Sequence, residues 1–247
     1  QNYSTIFDLH NSLRSNIITL RTIRPVLQLY KPRWNRFILF HFHKNLFLND
    51  FTSRKMYHEH LGDIWQDGDE IPKTSLKVTN HEKNEALKFV GKDSFITVVP
   101  GAAWVQKQWS SEKYIELIKK INMTVVLLGE KKDKICFQIA NKLPSIINLA
   151  GKTTLRQALA ILSNSKHVIG SDTGLTHAAE ALCIPVSMIL GPTSRETGAG
   201  VHLETSQNIE KDLWCRPCSQ NGKRPCYRKN QVCMDSISVF DVVQSVP

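Results

Sequence analysis

One stretch brings together the residue types that a phosphate-bearing ligand requires. Ser171-Asp172-Thr173-Gly174-Leu175-Thr176-His177-Ala178-Ala179-Glu180-Ala181-Leu182 follows the short apolar run His167-Val168-Ile169-Gly170, which reads as a buried strand. Leu175, Ala178, Ala179 and Leu182 then fall at helical spacing, so the pattern predicts a strand, a tight polar turn and a helix. Asp172 and Thr173 are both effective helix caps, and Gly174 lets a ligand come close to the backbone. A helix start of this kind offers unpaired N–H groups and the positive end of a dipole, which suits a phosphate. The same residues also fit an ordinary strand-to-helix turn in which capping is their only task.

A second group with chemical potential is Cys215-Arg216-Pro217-Cys218 followed by Cys226 and Cys233, a C-x2-C-x7-C-x6-C array within 215–233. Zinc ribbons favour two C-x2-C knuckles, and one is present. A structural metal site, reduced thiols and a disulfide therefore all stay open. Cys136 and Cys183 stand in apolar contexts and read as inert core thiols.

The elements that must carry these residues alternate. Phe95-Ile96-Thr97-Val98-Val99 reads as a strand ended by Pro100-Gly101-Ala102-Ala103, and Val125-Val126-Leu127-Leu128 as one ended by Gly129-Glu130. Ile146–Leu149 reads as a strand ended by Gly151, and a second apolar strand after the polar turn ends in Gly191-Pro192-Thr193. Helical spacings lie between them, at Tyr114, Leu117, Ile118 and Ile121, at Ile135, Ile139 and Leu143, and at Leu155, Ala158, Leu159 and Leu162. This alternation predicts an α/β domain with a parallel sheet covered by helices on both faces. Ligands of such sheets sit outside the carboxyl ends of the strands, so the four ends at 100–102, 129–130, 172–174 and 191–193 are expected to line one crevice.

The 247 residues suggest two domains, since a typical domain takes roughly 100–200. No apolar run approaches the roughly 20 residues needed to span a bilayer. The formal charge of +10 is uneven: residues 1–60 hold nine Lys and Arg against three acids. An acidic partner is implied, whether nucleic acid, an anionic membrane or a phosphorylated substrate. In this region Lys31-Pro32-Arg33-Trp34-Asn35-Arg36-Phe37-Ile38-Leu39-Phe40-His41-Phe42-His43-Lys44 interleaves bases with aromatics. The run fits stacking on nucleotides, resting on a membrane interface, or a helix with a buried aromatic face. Leu76-Lys77-Val78 is read as a short strand, and the inter-domain linker is placed at 79–93. The resulting division is an amino-terminal domain at 1–78 and a carboxy-terminal α/β domain at 94–247, which the resemblance described next makes a partial acceptor-binding domain and a nucleotide-sugar-binding, Rossmann-like one.

Five segments carry a resemblance to a known family. They are Phe7-Asp8-Leu9-His10-Asn11-Ser12-Leu13-Arg14-Ser15; Val99-Pro100-Gly101-Ala102 with Lys107-Gln108-Trp109 and Tyr114; Leu128-Gly129; Asn148-Leu149-Ala150-Gly151-Lys152-Thr153 with Leu155; and Ser171–Leu182 with Gly191-Pro192-Thr193. In order and spacing they resemble glycosyltransferase family 9, the lipopolysaccharide heptosyltransferases. The resemblance implies a GT-B architecture of two Rossmann-like domains with a cleft, the amino-terminal one incomplete. It also implies inverting transfer of heptose from ADP-L-glycero-D-manno-heptose to the inner core of lipopolysaccharide, without an essential metal. The Pro-Gly-Ala segment before Lys107 is closer to the second heptosyltransferase. The implied partners are the ADP-sugar donor, a lipid A-core acceptor and an anionic membrane. Nucleic acid is not among them, and the implied location is cytoplasmic, at the inner face of the bacterial inner membrane.

Roles follow from the resemblance position by position. Lys107 matches the lysine that reaches the donor phosphates, and Asp172 the acid that holds the donor sugar. Thr173, Gly174 and Leu175 would offer backbone N–H groups to the diphosphate. His177 would touch the donor or merely pack. Gly129 and Glu130 match the loop near the adenosine, with Glu130 on the ribose. Gly101, Ala102 and Ala103 fall where hydroxyl residues of some family members contact phosphate, and here only their backbone is available. The family's general base lies in a Gly-Asp segment after the first strand of the amino-terminal domain. Asp8, Gly62-Asp63 and Gly68-Asp69 lack that setting, and the base is expected upstream of Gln1 in a longer chain. Two competing readings are a GT-B enzyme with another nucleotide sugar and a basic, Cys-containing nucleic-acid-binding module.

Overall fold

The computed structural model describes residues 3–61, 64 and 70–246, so Gly62-Asp63 and Gly68-Asp69 lie outside the described residues. The chain forms two compact units, Gln1–Pro72 with Arg195–Ala199, and Lys73–Ser194 with Gly200–Pro247.

In the smaller unit, strand β1 (Ile6–Asp8) and strand β2 (Val26–Gln28) pair in parallel, Ile6 opposite Val26. Helix α1 (Leu13–Thr19) connects them and is capped by Ser12, which accepts from the Ser15 N–H. Asp8 closes the end of β1 by accepting from the N–H groups of His10 and Asn11 at 3.0 and 2.9 Å. These bonds, that of Asn11 first, hold its carboxyl below the usual range. Helices α2 (Arg33–Phe42) and α3 (Ser53–His58) follow. The aromatic face of α2 is not buried, contrary to one of the three options. Trp34, Phe37 and Phe42 are 65%, 43% and 60% exposed, and Leu39 supplies the buried contact instead.

The segment expected as a linker is a helix of the larger unit. Helix α4 (Asn80–Val90) is capped by Thr79 and buries Ala86 and Val90. Its Glu82 receives Nε and Nη2 of Arg156 at 2.8 and 2.6 Å. The polar run at 79–93 looked like a tether because its buried positions are few and small. Leu76–Val78 is not a strand; its Leu76 N–H instead donates to Ala181 O at 2.8 Å.

From there the alternation holds. The larger unit comprises β3 (Phe95–Val99), α5 (Ser111–Lys120), β4 (Thr124–Leu127), α6 (Lys134–Lys142), β5 (Ile147–Asn148), α7 (Leu155–Leu162), β6 (His167–Ser171), α8 (Gly174–Ala181), β7 (Val186–Ile189), β8 (Gln207–Ile209), α9 (Val232–Asp235) and α10 (Val239–Val243). The six strands are parallel in the order β5-β4-β3-β6-β7-β8. This is the doubly wound order whose direction of winding reverses between its first and fourth strands, here β3 and β6.

Consecutive strand residues serve opposite faces, as the period of two requires. Ile96, Val98, Val125, Leu127 and Ile169 pack with Trp109, Tyr114 and Leu117 of one layer and with Ile135 and Ile139. Phe95, Val99, Val126, Leu128 and Val168 pack with Ala86, Leu159, Leu162 and Ala179 on the other side. Cys136 is a core thiol, as expected, and burial pushes it up to about 12. Cys183 is not: it is exposed, at a left-handed φ of 61° after α8.

A polar trio is sealed beneath β6 and β7. His167 Nε2 lies 2.7 Å from Ser187 Oγ, which lies 2.6 Å from Ser245 Oγ. Burial pushes the His167 imidazole down to about 4 from its ordinary value near 6.5. The unfolded chain therefore binds this proton first. Stability should be complete above about pH 6.5 and decline as pH falls toward about 4, by on the order of 3 kcal/mol. Urea unfolding at pH 7.5 and pH 4.5 should show this loss in the wild type and a smaller one in His167→Gln; equal losses would contradict it.

Candidate functional site

A cavity of about 940 Å³ opens at the carboxyl ends of β3, β4 and β6. Gly101, Ala102, Ala103 and Lys107 line it from the loop after β3, and Gly129 to Asp133 from the loop after β4. Asp172, Thr173, Gly174 and Leu175 line it from the turn after β6, with Thr154, Leu155, Ala158 and Leu159 of α7 opposite. Its position at the β3–β6 reversal is the ligand position of open α/β sheets.

The sheet brings Lys107 and Asp172 together across 65 residues. Lys107 Nζ donates to Asp172 Oδ2 at 2.9 Å, and the two side chains keep only 13% and 11% of their surface. His177 Nε2 donates to Asp172 Oδ1, also at 2.9 Å. Burial by itself would raise the Asp172 carboxyl. The His177 hydrogen bond and the charge and hydrogen bond of Lys107 outweigh it and hold the group well below the usual carboxylate range. Asp172 is thus an ionised acceptor at neutral pH, with its two oxygens tied to different elements.

His177 answers its two expected roles with a third. It is not among the residues that line the cavity; one turn into α8, it holds Asp172 Oδ1 through Nε2. The turn is held by Thr176, whose Oγ1 accepts from the Thr173 N–H at 3.1 Å and lies 2.8 Å from Ser171 O. The first N–H groups of α8 have no partner within the helix, and Thr173, Gly174 and Leu175 stand at the cavity wall. A Cβ built on Gly174 would meet nothing within 4 Å, so its missing side chain leaves open space at the turn.

Gly101 and Gly129 make room for a residue that sequence reading passed over. A Cβ on either would stand 2.4 or 2.9 Å from Asp133 Oδ2. The same oxygen accepts from the Glu130 N–H at 2.7 Å and closes the loop after β4. The signal was present in the Gly-Glu-x-x-Asp spacing, where a carboxylate three residues on can bond the loop backbone. The Glu130 carboxylate pairs with Lys132 at 2.7 Å and is largely exposed. Ala102 offers its carbonyl to Gln108 Nε2 at 3.1 Å.

One expectation is corrected. Gly191-Pro192-Thr193 does not line the cavity; a Cβ on Gly191 would stand 2.4 Å from Met234 Sδ. The loop is roofed instead by Arg216, whose guanidinium donates to Thr193 O at 3.1 Å, Lys211 O at 2.7 Å and Glu210 at 2.9 Å. Cys215, Cys218, Cys226 and Cys233 are free thiols. They lie near enough to influence one another, and burial first, then the other three, pushes Cys218 up to about 11. Among the described residues no group of three or more His, Cys, Asp or Glu side chains is disposed to hold an ion.

Comparison with known proteins gives the class. The profile of glycosyltransferase family 9 (heptosyltransferase) matches residues 1–227. The chain belongs to this family. It is 32% identical over 151 residues to lipooligosaccharide heptosyltransferase 2 of Haemophilus influenzae, which is 53% of this chain and 44% of that protein. It is 33% identical over 135 residues to lipopolysaccharide heptosyltransferase 2 of Salmonella typhimurium, 48% of this chain and 38% of that protein. The matched stretches thus span less than half of either relative. The solved structure of E. coli ADP-heptose lps heptosyltransferase II superposes with a TM-score of 0.69 at 22% identity, covering 98% of this chain and 75% of that one. The fold is α/β of the GT-B kind.

Gly174→Ala tests the turn as an anion seat. The methyl group meets no protein atom and favours a helix, so the thermal midpoint should move by less than about 2 °C. Affinity for inorganic diphosphate, followed by calorimetry, should fall about tenfold as the backbone approach is blocked. Unchanged affinity would place the anion elsewhere.

Proposed function

We propose that this chain binds ADP-heptose in the β3–β6 cavity and acts in inverting transfer of the heptose to the inner core of lipopolysaccharide. The observation that carries this reading is the pairing of Lys107 with an ionised Asp172 beside the start of α8. The relatives' names and the fold likeness to an ADP-heptose enzyme support it.

The chemistry follows from charge. When the bond to the anomeric carbon breaks, the departing ADP gains negative charge on its diphosphate. Lys107 and the N–H groups of Gly174 and Leu175 stand at the cavity wall, where they stabilise that charge, while the Thr173 N–H is taken up by Thr176 Oγ1. Asp172 accepts hydrogen bonds from sugar hydroxyls and fixes the anomeric carbon toward an acceptor hydroxyl arriving from the opposite side. His177 keeps the carboxylate in place during the exchange of Lys107 from Asp172 to phosphate. The adenosine lies toward Thr154–Leu159 and the Gly129–Asp133 loop, with the Lys131 and Lys132 region beside it.

The acceptor side of the reading is an anionic bilayer surface. The exposed face of α2 carries a stack of Trp34 on Phe37 at 5.6 Å and of Phe37 on His41 at 4.4 Å. Tyr30, Lys31 and Arg33 border it. Aromatic rings at headgroup depth with bases facing anionic lipid are a stable interfacial arrangement. Among the described residues no helix is long and apolar enough to cross a membrane.

Titration calorimetry with ADP, ADP-heptose and UDP tests the donor. The adenine nucleotides should bind and UDP should bind more weakly. Lys107→Ala should cost ADP at least about tenfold, the worth of a charge-assisted hydrogen bond. Asp172→Ala should remove most of the advantage of ADP-heptose over ADP. Equal binding by wild type and both variants would overturn the assignment. Sedimentation with vesicles tests the surface: the chain should associate with phosphatidylglycerol vesicles and not phosphatidylcholine ones, and Trp34→Ala/Phe37→Ala should weaken this about tenfold or more. Equal sedimentation of wild type and variant would exclude α2 as the contact.

A further inference from the structure

Lys107 ends a short 3-10 turn, Val105–Lys107, whose Val105 is exposed. A lysine in such a place would normally extend into solvent with many rotamers open to it. Its side chain is nonetheless almost covered. The cover comes from the Cys-rich segment. A Cβ on Gly222 would stand 2.5 Å from Lys107 Cγ, 2.6 Å from Cδ and 3.6 Å from Trp104 Cβ, so the backbone of Gly222 lies directly on the lysine's aliphatic stem. Gly222 has φ of 80°, a left-handed conformation open to glycine.

The turn around Gly222 is itself anchored. Its N–H donates to Ser219 Oγ at 2.9 Å. The N–H groups of Cys218 and Ser219 both donate to Pro192 O at 3.2 Å, which ties the turn to the end of β7. Two flanking contacts complete the hold: Lys223 Nζ stands 5.7 Å from the centre of the Trp104 ring, and the Gln231 amide donates to Gln106 O. Trp104, Gln106 and Lys107 are thus gripped by one segment, while Trp109, buried beside them, is fixed through Nε1 to Ile237 O at 3.1 Å.

We propose that Gly222 is a positioning residue for donor binding: the 219–223 turn clamps the stem of Lys107 so that its ammonium is held at the cavity rather than in solvent. This rests on the reading that Lys107 binds the donor diphosphate. Gly222 needs no contact with the ligand. It acts by removing the lysine's rotamer freedom at folding, so that binding does not have to. The packing of the cysteine segment, whose thiols line no part of the cavity, acquires a purpose in the same geometry.

A double-mutant cycle read by ADP titration of the whole chain tests this. Gly222→Ala adds a Cβ against Lys107 and strains φ; Ser219→Ala loosens the same turn without adding an atom. With Lys107 present, Gly222→Ala should weaken ADP binding about tenfold and Ser219→Ala about threefold. On a Lys107→Ala background each should change it by less than about twofold, because the clamp then has nothing to hold. Equal losses on both backgrounds would make the turn merely structural and overturn the proposal. So would unchanged ADP affinity in both clamp variants while Lys107→Ala loses it, and the reading of Lys107 would then stand. Unchanged affinity in Lys107→Ala itself would overturn that reading. If Gly222→Ala fails to fold, the Ser219→Ala pair carries the cycle alone.

Discussion

A buried carboxylate must be paired and hydrogen-bonded or give up its charge. Asp172 sits at the end of β6 under this constraint, and much of the site is arranged to meet it. One oxygen is met locally by His177, one turn into the helix that Asp172 introduces. The other is met by Lys107, which comes from the loop after β3. That second contact is possible because β3 and β6 are neighbours in the sheet, although three helices and two strands separate them in the chain. The reversal of strand order therefore does electrostatic as well as topological service: it brings a cation and an anion from distant segments to one wall.

Around this pair, small residues decide what can approach. Gly101 and Gly129 leave space for the Asp133 carboxylate, which in turn shapes the loop after β4. Gly174 leaves space that no protein atom occupies. The two kinds of glycine look alike in the sequence and differ in what stands opposite them. All three line the cavity, but only Gly174 has open space where a Cβ would stand.

The larger unit was legible because β3, β4, β6 and β7 are buried on both faces and so read as largely apolar runs, each followed within two residues by Gly or Asp. Asp172, Lys107 and the Thr173–Leu175 turn were legible through motif and spacing. Elements that depend on distant partners were not. The strand β2, with three residues, has too short a pattern to register, and β8 is equally brief. Helix α4 was mistaken for a tether because its hold on the domain is an Arg156–Glu82 pair 74 residues apart and two small buried side chains. The aromatic run of α2 has a strong helical pattern, yet pattern alone does not say which face is covered, and Leu39 rather than Trp34 or Phe37 proved to be inside. Gly222 carried no signal at all, since its meaning lies in Lys107, more than a hundred residues earlier.

The mutual neutralisation of Lys107 and Asp172 also sets how the site treats incoming and outgoing molecules. The cavity is not a bare positive well; Lys107, one of the lysines that line it, is engaged with Asp172, so affinity reports an exchange of partners. On the proposed reading, a nucleotide sugar supplies a replacement for each side, phosphate for the lysine and hydroxyls for the aspartate. The nucleotide left after transfer supplies only the first, and the aspartate then competes to recover its lysine. The resting ion pair would thereby favour turnover over product retention, with the departing nucleotide displaced by a group that belongs to the protein.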